Sequence, residues 1–96
     1  MYVSDYGLAA DSSAWSTALD SYRSYKSVNW MHFGYEEWTV SRTASNPVGA
    51  FYVESDGDVN SNLVGANYAV RPVFYLVSTA TYSSGTGEET NPIRIN

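Results

Sequence analysis

The sequence contains no cysteine, which excludes disulfide staples, thiolate metal sites and a cysteine nucleophile together. Cations are scarce as well. Five Lys and Arg stand against ten Asp and Glu, a net charge of −5, so there is no basic face to neutralise phosphates and nucleic acid is not an expected partner. No apolar run is long enough to cross a membrane, since Val70 to Val77 is interrupted by Arg71 and Pro72. Met1 to Asp5 has neither a basic leader nor an apolar stretch and does not read as a signal peptide. What is abundant is aromatic surface: nine Tyr, three Trp and three Phe in 96 residues, 44% of them hydrophobic and 16% charged. That composition belongs to one folded domain, because half of this length would not enclose a stable core.

The local pattern is α+β. Met1 to Tyr6 alternates loosely and suits a short strand that ends at Gly7. Asp11, Ser12 and Ser13 are good N-cap residues, and Trp15, Ala18, Leu19 and Tyr22 follow at helical spacing, which predicts an amphipathic helix over about 13–25 anchored by Trp15 and Leu19. Trp38 to Ser41 reads as a strand with Trp38 and Val40 on one face, followed by a stop at Asn46-Pro47. Ala50 to Val59 alternates aromatic and β-branched residues around Asp56-Gly57, a hairpin signal resting on the freedom of glycine at positive φ. Tyr68 to Val77 is the longest β-like run and the expected central strand, with Pro72 requiring a bulge or a free edge. A turn at Gly85-Thr86-Gly87 and a short strand at Ile93-Arg94-Ile95 complete the chain. The predicted core is Trp15, Trp38, Phe51, Val53, Val70, Phe74 and Leu76.

Catalytic chemistry finds little support. His32 is the only histidine, no Gly-x-Ser-x-Gly elbow accompanies it, and it reads as structural. Glu36 and Glu37 are adjacent on a strand and point to opposite sides, so they do not form the carboxylate pair of a glycosidase. The chain is therefore read as a non-enzyme. Asp56, Asp58, Asn60 and Asn62 alternate and offer hard oxygen ligands that suit calcium, although Asp-Gly and Asn are equally the residues of turns. Calcium is the one cofactor the pattern admits. Arg71, inside the most apolar run, requires a carboxylate or several carbonyls, with Glu54 or Asp5 as the expected acid.

Three segments, taken in order, resemble a C-type-lectin-like domain of the DUF6273 kind: Met1-Tyr2-Val3-Ser4-Asp5-Tyr6-Gly7; Glu37-Trp38-Thr39-Val40-Ser41 with Phe51 to Asn60; and Tyr68 to Leu76 with Ser84-Gly85-Thr86-Gly87 and Asn91 to Ile95. The resemblance implies one amphipathic helix packed on a small, twisted, mostly antiparallel sheet with long binding loops, here 43–50 and 60–67, and Val70 to Leu76 as its buried spine. It implies a C-terminal fragment of a longer exported protein at a bacterial cell surface, including pilin-like proteins. The family's calcium signatures Glu-Pro-Asn and Trp-Asn-Asp are missing. The function so implied is a non-catalytic binding head that contacts a protein or glycan through Tyr52, Asn60, Asn62, Asn67, Tyr68, Trp30 and Tyr35. The alternative is a structural module that packs against copies of itself in a surface fibre.

Overall fold

The computed structural model describes residues 1–72, 74–88 and 90–96. Their order is helix α1 (Val3–Leu8), two 3-10 helices (Ser12–Ala14 and Leu19–Val28), then strands β1 (Glu37–Arg42), β2 (Gly49–Val53), β3 (Val59–Leu63), β4 (Tyr82–Ser84) and β5 (Arg94–Ile95). Strands β1–β2–β3 form one antiparallel sheet and β4–β5 a separate two-stranded one. The α+β class is as expected.

The hairpin is where the alternation places it. Val53 pairs with Val59 and Tyr52 with Asn60, and Gly57 turns the chain at φ +103°. β1 occupies the Trp38–Ser41 segment, and β4 and β5 flank the expected Gly85-Thr86-Gly87 turn. Asp11 caps as predicted: its Oδ1 accepts from Ser13 N at 2.9 Å, and these hydrogen bonds hold its carboxyl below the usual range.

Three expectations are corrected. The N-terminal segment is helical rather than extended: Val3, Tyr6 and Ala9–Ala10 recur at helical spacing, and the Asp5 carboxylate accepts from Tyr2 N at 2.7 Å, as an N3 acid does at a helix start. The helix predicted over 13–25 is instead a pair of 3-10 helices, the longer one kinked at Ser21. Leu19, Tyr22, Tyr25 and Val28 are spaced by three, so the tighter helix with three residues per turn aligns them where an α-helix spreads them, and the many serines compete for backbone groups. Trp15 thereby ends up exposed.

The third correction concerns Tyr68 to Val77. Among the described residues only Ala69 pairs, parallel with Glu37; Pro72 cannot donate to a ladder, and beyond it Phe74, Tyr75, Leu76 and Val77 are 73%, 100%, 55% and 72% exposed. Val70 is exposed too, and Val73 lies outside the described residues. Phe74 to Val77 are solvated on both faces, and among the described residues the buried spine expected over Val70 to Leu76 is not formed.

The core lies instead on the inner face of the three-stranded sheet, where Val53 and Val59 meet Met1, Tyr6, Ala9, Ala10, Ala14, Tyr22 and Met31, with Phe51 packed against them. Tyr6 is 0% exposed, and its hydroxyl donates to Gly57 O at 2.8 Å. Burial, with the nearby Tyr22, Asp58 and Asp56, pushes its pKa up to about 12. Tyr22 OH donates to Gly7 O at 2.7 Å. Helix α1 is fastened to β1 through Val40 N to Met1 O, 2.9 Å, and Val3 N to Ser41 Oγ, 3.0 Å. Of the predicted core, Val53 is buried, Phe51 and Trp38 are half-buried, and Trp15, Val70, Phe74 and Leu76 are exposed.

Candidate functional site

β1 presents Trp38 and Val40 on one face, as alternation predicts, but the core takes the other face, with Glu37 and Thr39. The reason is Arg71. Its Nη2 donates to Glu37 Oε2 at 2.9 Å and to Met31 O at 2.6 Å, and its guanidinium lies 4.1 Å over the Phe33 ring. Nε approaches Oε1 at 2.8 Å off the hydrogen-bonding angle. The expected carboxylate is thus present, but it is Glu37. Glu54 serves Tyr52 and Asn60, and Asp5 serves α1.

Trp38 is consequently displaced to the outer face, opposite Tyr52 in the register, where Tyr68 returns over both. Tyr52 and Tyr68 stack with centroids 4.5 Å apart, and Trp38 lies 4.8 Å from Tyr68 and 6.0 Å from Tyr52. Trp38 Nε1 donates to Ala66 O at 3.3 Å, which ties the 64–67 turn to the cluster. Tyr52 OH donates to Glu54 Oε1 at 3.0 Å. Burial, then the Glu54 carboxylate and Tyr68, raise the Tyr52 pKa above the ordinary phenol range, so this hydroxyl remains a donor.

Asn60 and Asn62 connect the cluster to the sheet edge. Their Nδ2 groups donate to Glu54 Oε1, 3.1 Å, and Tyr68 OH, 2.8 Å, while their Oδ1 atoms accept from Ser61 N and Leu63 N, both 2.8 Å. β3 borders the sheet among the described strands, so these amides close N–H groups that an edge would otherwise offer.

The two predicted binding loops meet. Thr43, Ser45, Asn46 and Gly49 from one side and Ser61, Asn62 and Leu63 from the other line a hollow of about 300 Å³. Part of 60–67 is strand β3 rather than loop. The 43–49 turn is fixed by its own bonds: Thr43 Oγ1 to Asn46 O at 2.8 Å, Val48 N to Asn46 Oδ1 at 3.1 Å, and Gly49 N to Asn46 O at 3.1 Å. A Cβ on Gly49 would come within 2.5 Å of Thr43 Oγ1, so glycine is what permits this closure.

Of the predicted ligand residues, Tyr52, Asn60, Asn62 and Tyr68 are brought together, with Asn67 exposed beside them. Trp30 and Tyr35 stand in separate hollows, Trp30 with Leu8 and Met31, Tyr35 with Phe33 and Arg71. The calcium quartet is divided. Asp56 and Asp58 converge with Glu54, their oxygens within 4.8 Å of one another, but Arg23 fills that position: its backbone N and Nε donate to Asp58 at 2.6 and 2.8 Å, and Nη1 is 3.4 Å from Asp56. Asn60 and Asn62 turn their oxygens to their own strand. His32 Nε2 pairs with Ser55 O at 3.2 Å. Thr43 and Ser45 lie in the expected binding loop 43–50, whereas Trp38 and Glu54 are not expected as site residues; the pairing of Trp38 with Tyr52 follows from the alternation of β1 once Glu37 is placed inward. Compared with protein-family models, curated proteins and solved structures, the chain finds no match.

Proposed function

We propose that this chain is a non-catalytic recognition module whose ligand is a carbohydrate, held at the hollow between 43–49 and 61–63 and flanked by the Trp38–Tyr52–Tyr68 cluster. The observation that carries this reading is the meeting of two separate chain segments around a hollow lined by hydroxyl, amide and backbone groups, one of which, Asn62, also holds the hydroxyl of half-exposed Tyr68. Hydroxyls and amides exchange hydrogen bonds with a polyol, and an aromatic ring gives its C–H face a contact of low entropic cost. The self-bonded 43–49 turn lowers the ordering cost of binding. The reading rests on this face rather than on the lectin-like resemblance, whose spine segment is solvated. Exported, cell-surface placement accompanies the resemblance and belongs to the same proposal. A fibre subunit built by strand addition is less well supported, since Asn60 and Asn62 close the β3 edge.

The test is retention on a glycan array, with Asn62→Ala and Ser45→Ala as variants. Both positions are exposed, so circular dichroism should be unchanged while binding falls by about tenfold. No retained glycan, or retention indifferent to both substitutions, refutes the reading; retention on a cell-surface protein array alone transfers the site to a protein ligand.

A further inference from the structure

The chain exposes more surface than its mass warrants. Its accessible area is 6836 Å², whereas a compact monomer of 10.6 kDa exposes about 5,500 Å². Its radius of gyration is 15.3 Å against about 12.5 Å for this length. The excess area, roughly 1,300 Å², exceeds the roughly 800 Å² per partner that a standard interface covers. Much of the exposed apolar surface belongs to the arm that leaves the sheet after Arg71, where Phe74, Tyr75, Leu76 and Val77 project. No Asp, Glu, Lys or Arg occurs between Arg71 and Glu88.

A second apolar surface lies on the helical side of the body. Leu8 lines one hollow with Trp15, Leu19 and Tyr22, and another with Met1, Trp30 and Met31, so the two form a band centred on it. Leu8, Trp15 and Trp30 are all exposed.

We propose that two copies of the chain exchange arms, Phe74–Val77 of each seating on the Leu8 band of the other. Each chain carries both halves of this contact, and a two-fold arrangement satisfies both at once and closes on itself. Chains of net charge −5 repel one another unless they meet through an uncharged surface, which this arm supplies. The inference goes beyond the carbohydrate reading and uses none of its residues.

Size exclusion with light scattering on the full chain, over a range of concentrations, tests it. The expected mass at high concentration is twice 10.6 kDa. Phe74→Asp with Leu76→Asp on the arm, and Leu8→Asp on the band, alter exposed positions and should preserve far-ultraviolet circular dichroism. Each should weaken self-association by about tenfold or more. An equimolar mixture of the two variants retains one intact arm–band contact and should associate more tightly than either alone. A monomer at every concentration, a dimer indifferent to both variants, a mixture no tighter than its components, or growth past the dimer into open assemblies overturns the proposal.

Discussion

Replacing Arg71 by methionine should destabilise the fold by about 3 kcal/mol, at the lower end of the range for breaking a buried pair. The magnitude follows from asymmetric burial: the Glu37 side chain is 5% exposed and that of Arg71 21%. Removal of the cation leaves a carboxylate inside the protein without its counter-charge, whereas removal of the acid leaves a guanidinium that can reach water. Arg71→Met also forfeits the 2.6 Å bond to Met31 O, and the thioether retains only part of the contact with Phe33. For a domain of this size the loss corresponds to roughly 12–24 °C in Tm, a large share of a total stability of about 5–15 kcal/mol. Urea unfolding of Arg71→Met, Glu37→Leu and the double variant closes a double-mutant cycle. The double variant should lie within about 1 kcal/mol of the parent, because two apolar side chains replace a pair whose attraction is offset by desolvation. A single-variant cost below about 0.5 kcal/mol, or strict additivity, refutes the reasoning.

The remaining predictions concern the turn, the core phenol and the sheet edge. Gly57→Ala should cost about 1–3 kcal/mol in urea unfolding, since the backbone holds φ +103° and the new Cβ would lie 2.9 Å from Lys26 Cβ. Tyr6 titrates near 12 when folded, against 10.0 ordinarily; its contribution is fully present below pH 10 and is lost as pH rises through 12. Tyrosinate absorbance should accordingly lag in the native protein, and Tyr6→Phe should flatten this part of the alkaline stability profile. Asn60→Val with Asn62→Val opens the N–H groups of Ser61 and Leu63 and should increase thioflavin-positive aggregation; unchanged solubility at matched concentration would show that the amides do not guard this edge.

The parts legible in the sequence are those in which local pattern and tertiary structure agree. Asp56-Gly57 between alternating runs gives the hairpin, and Asp11 gives a cap, because each depends on backbone geometry within a few residues. The helical region is ambiguous in the sequence because Trp15, Ala18, Leu19 and Tyr22 match one period while Leu19, Tyr22, Tyr25 and Val28 match another, and only packing against Tyr6 chooses between them. The side of β1 that faces inward was illegible for a different reason: Glu37 is inward because an arginine more than thirty residues later neutralises it. The segment after Arg71 shows the limit of hydropathy, which measures what a residue would gain by burial and not whether the chain brings anything to cover it. Within the candidate site, Asn60 and Asn62 follow from loop placement and Tyr52 and Tyr68 from the surplus of aromatic residues, whereas Glu54 requires its bonds to Tyr52 and Asn60 to be seen.

Arg71 also joins the two halves of the molecule. It is the last side chain before Pro72 that the body holds, and Ala69, two residues earlier, is the last paired backbone position before the exposed arm. The ion pair that stabilises the inner face therefore also fixes where the arm departs. If the arm seats on a second copy, its fixed origin reduces the ordering cost of docking, since each residue immobilised costs about 1–2 kcal/mol. The Glu37→Leu/Arg71→Met double variant separates these roles, keeping the fold while loosening the departure point. Its self-association should weaken by about tenfold, the equivalent of one such residue, with urea stability nearly unchanged. Equal association in light scattering would assign the direction of the arm to Pro72 and the Ala69 bridge alone, leaving the ion pair a purely local role.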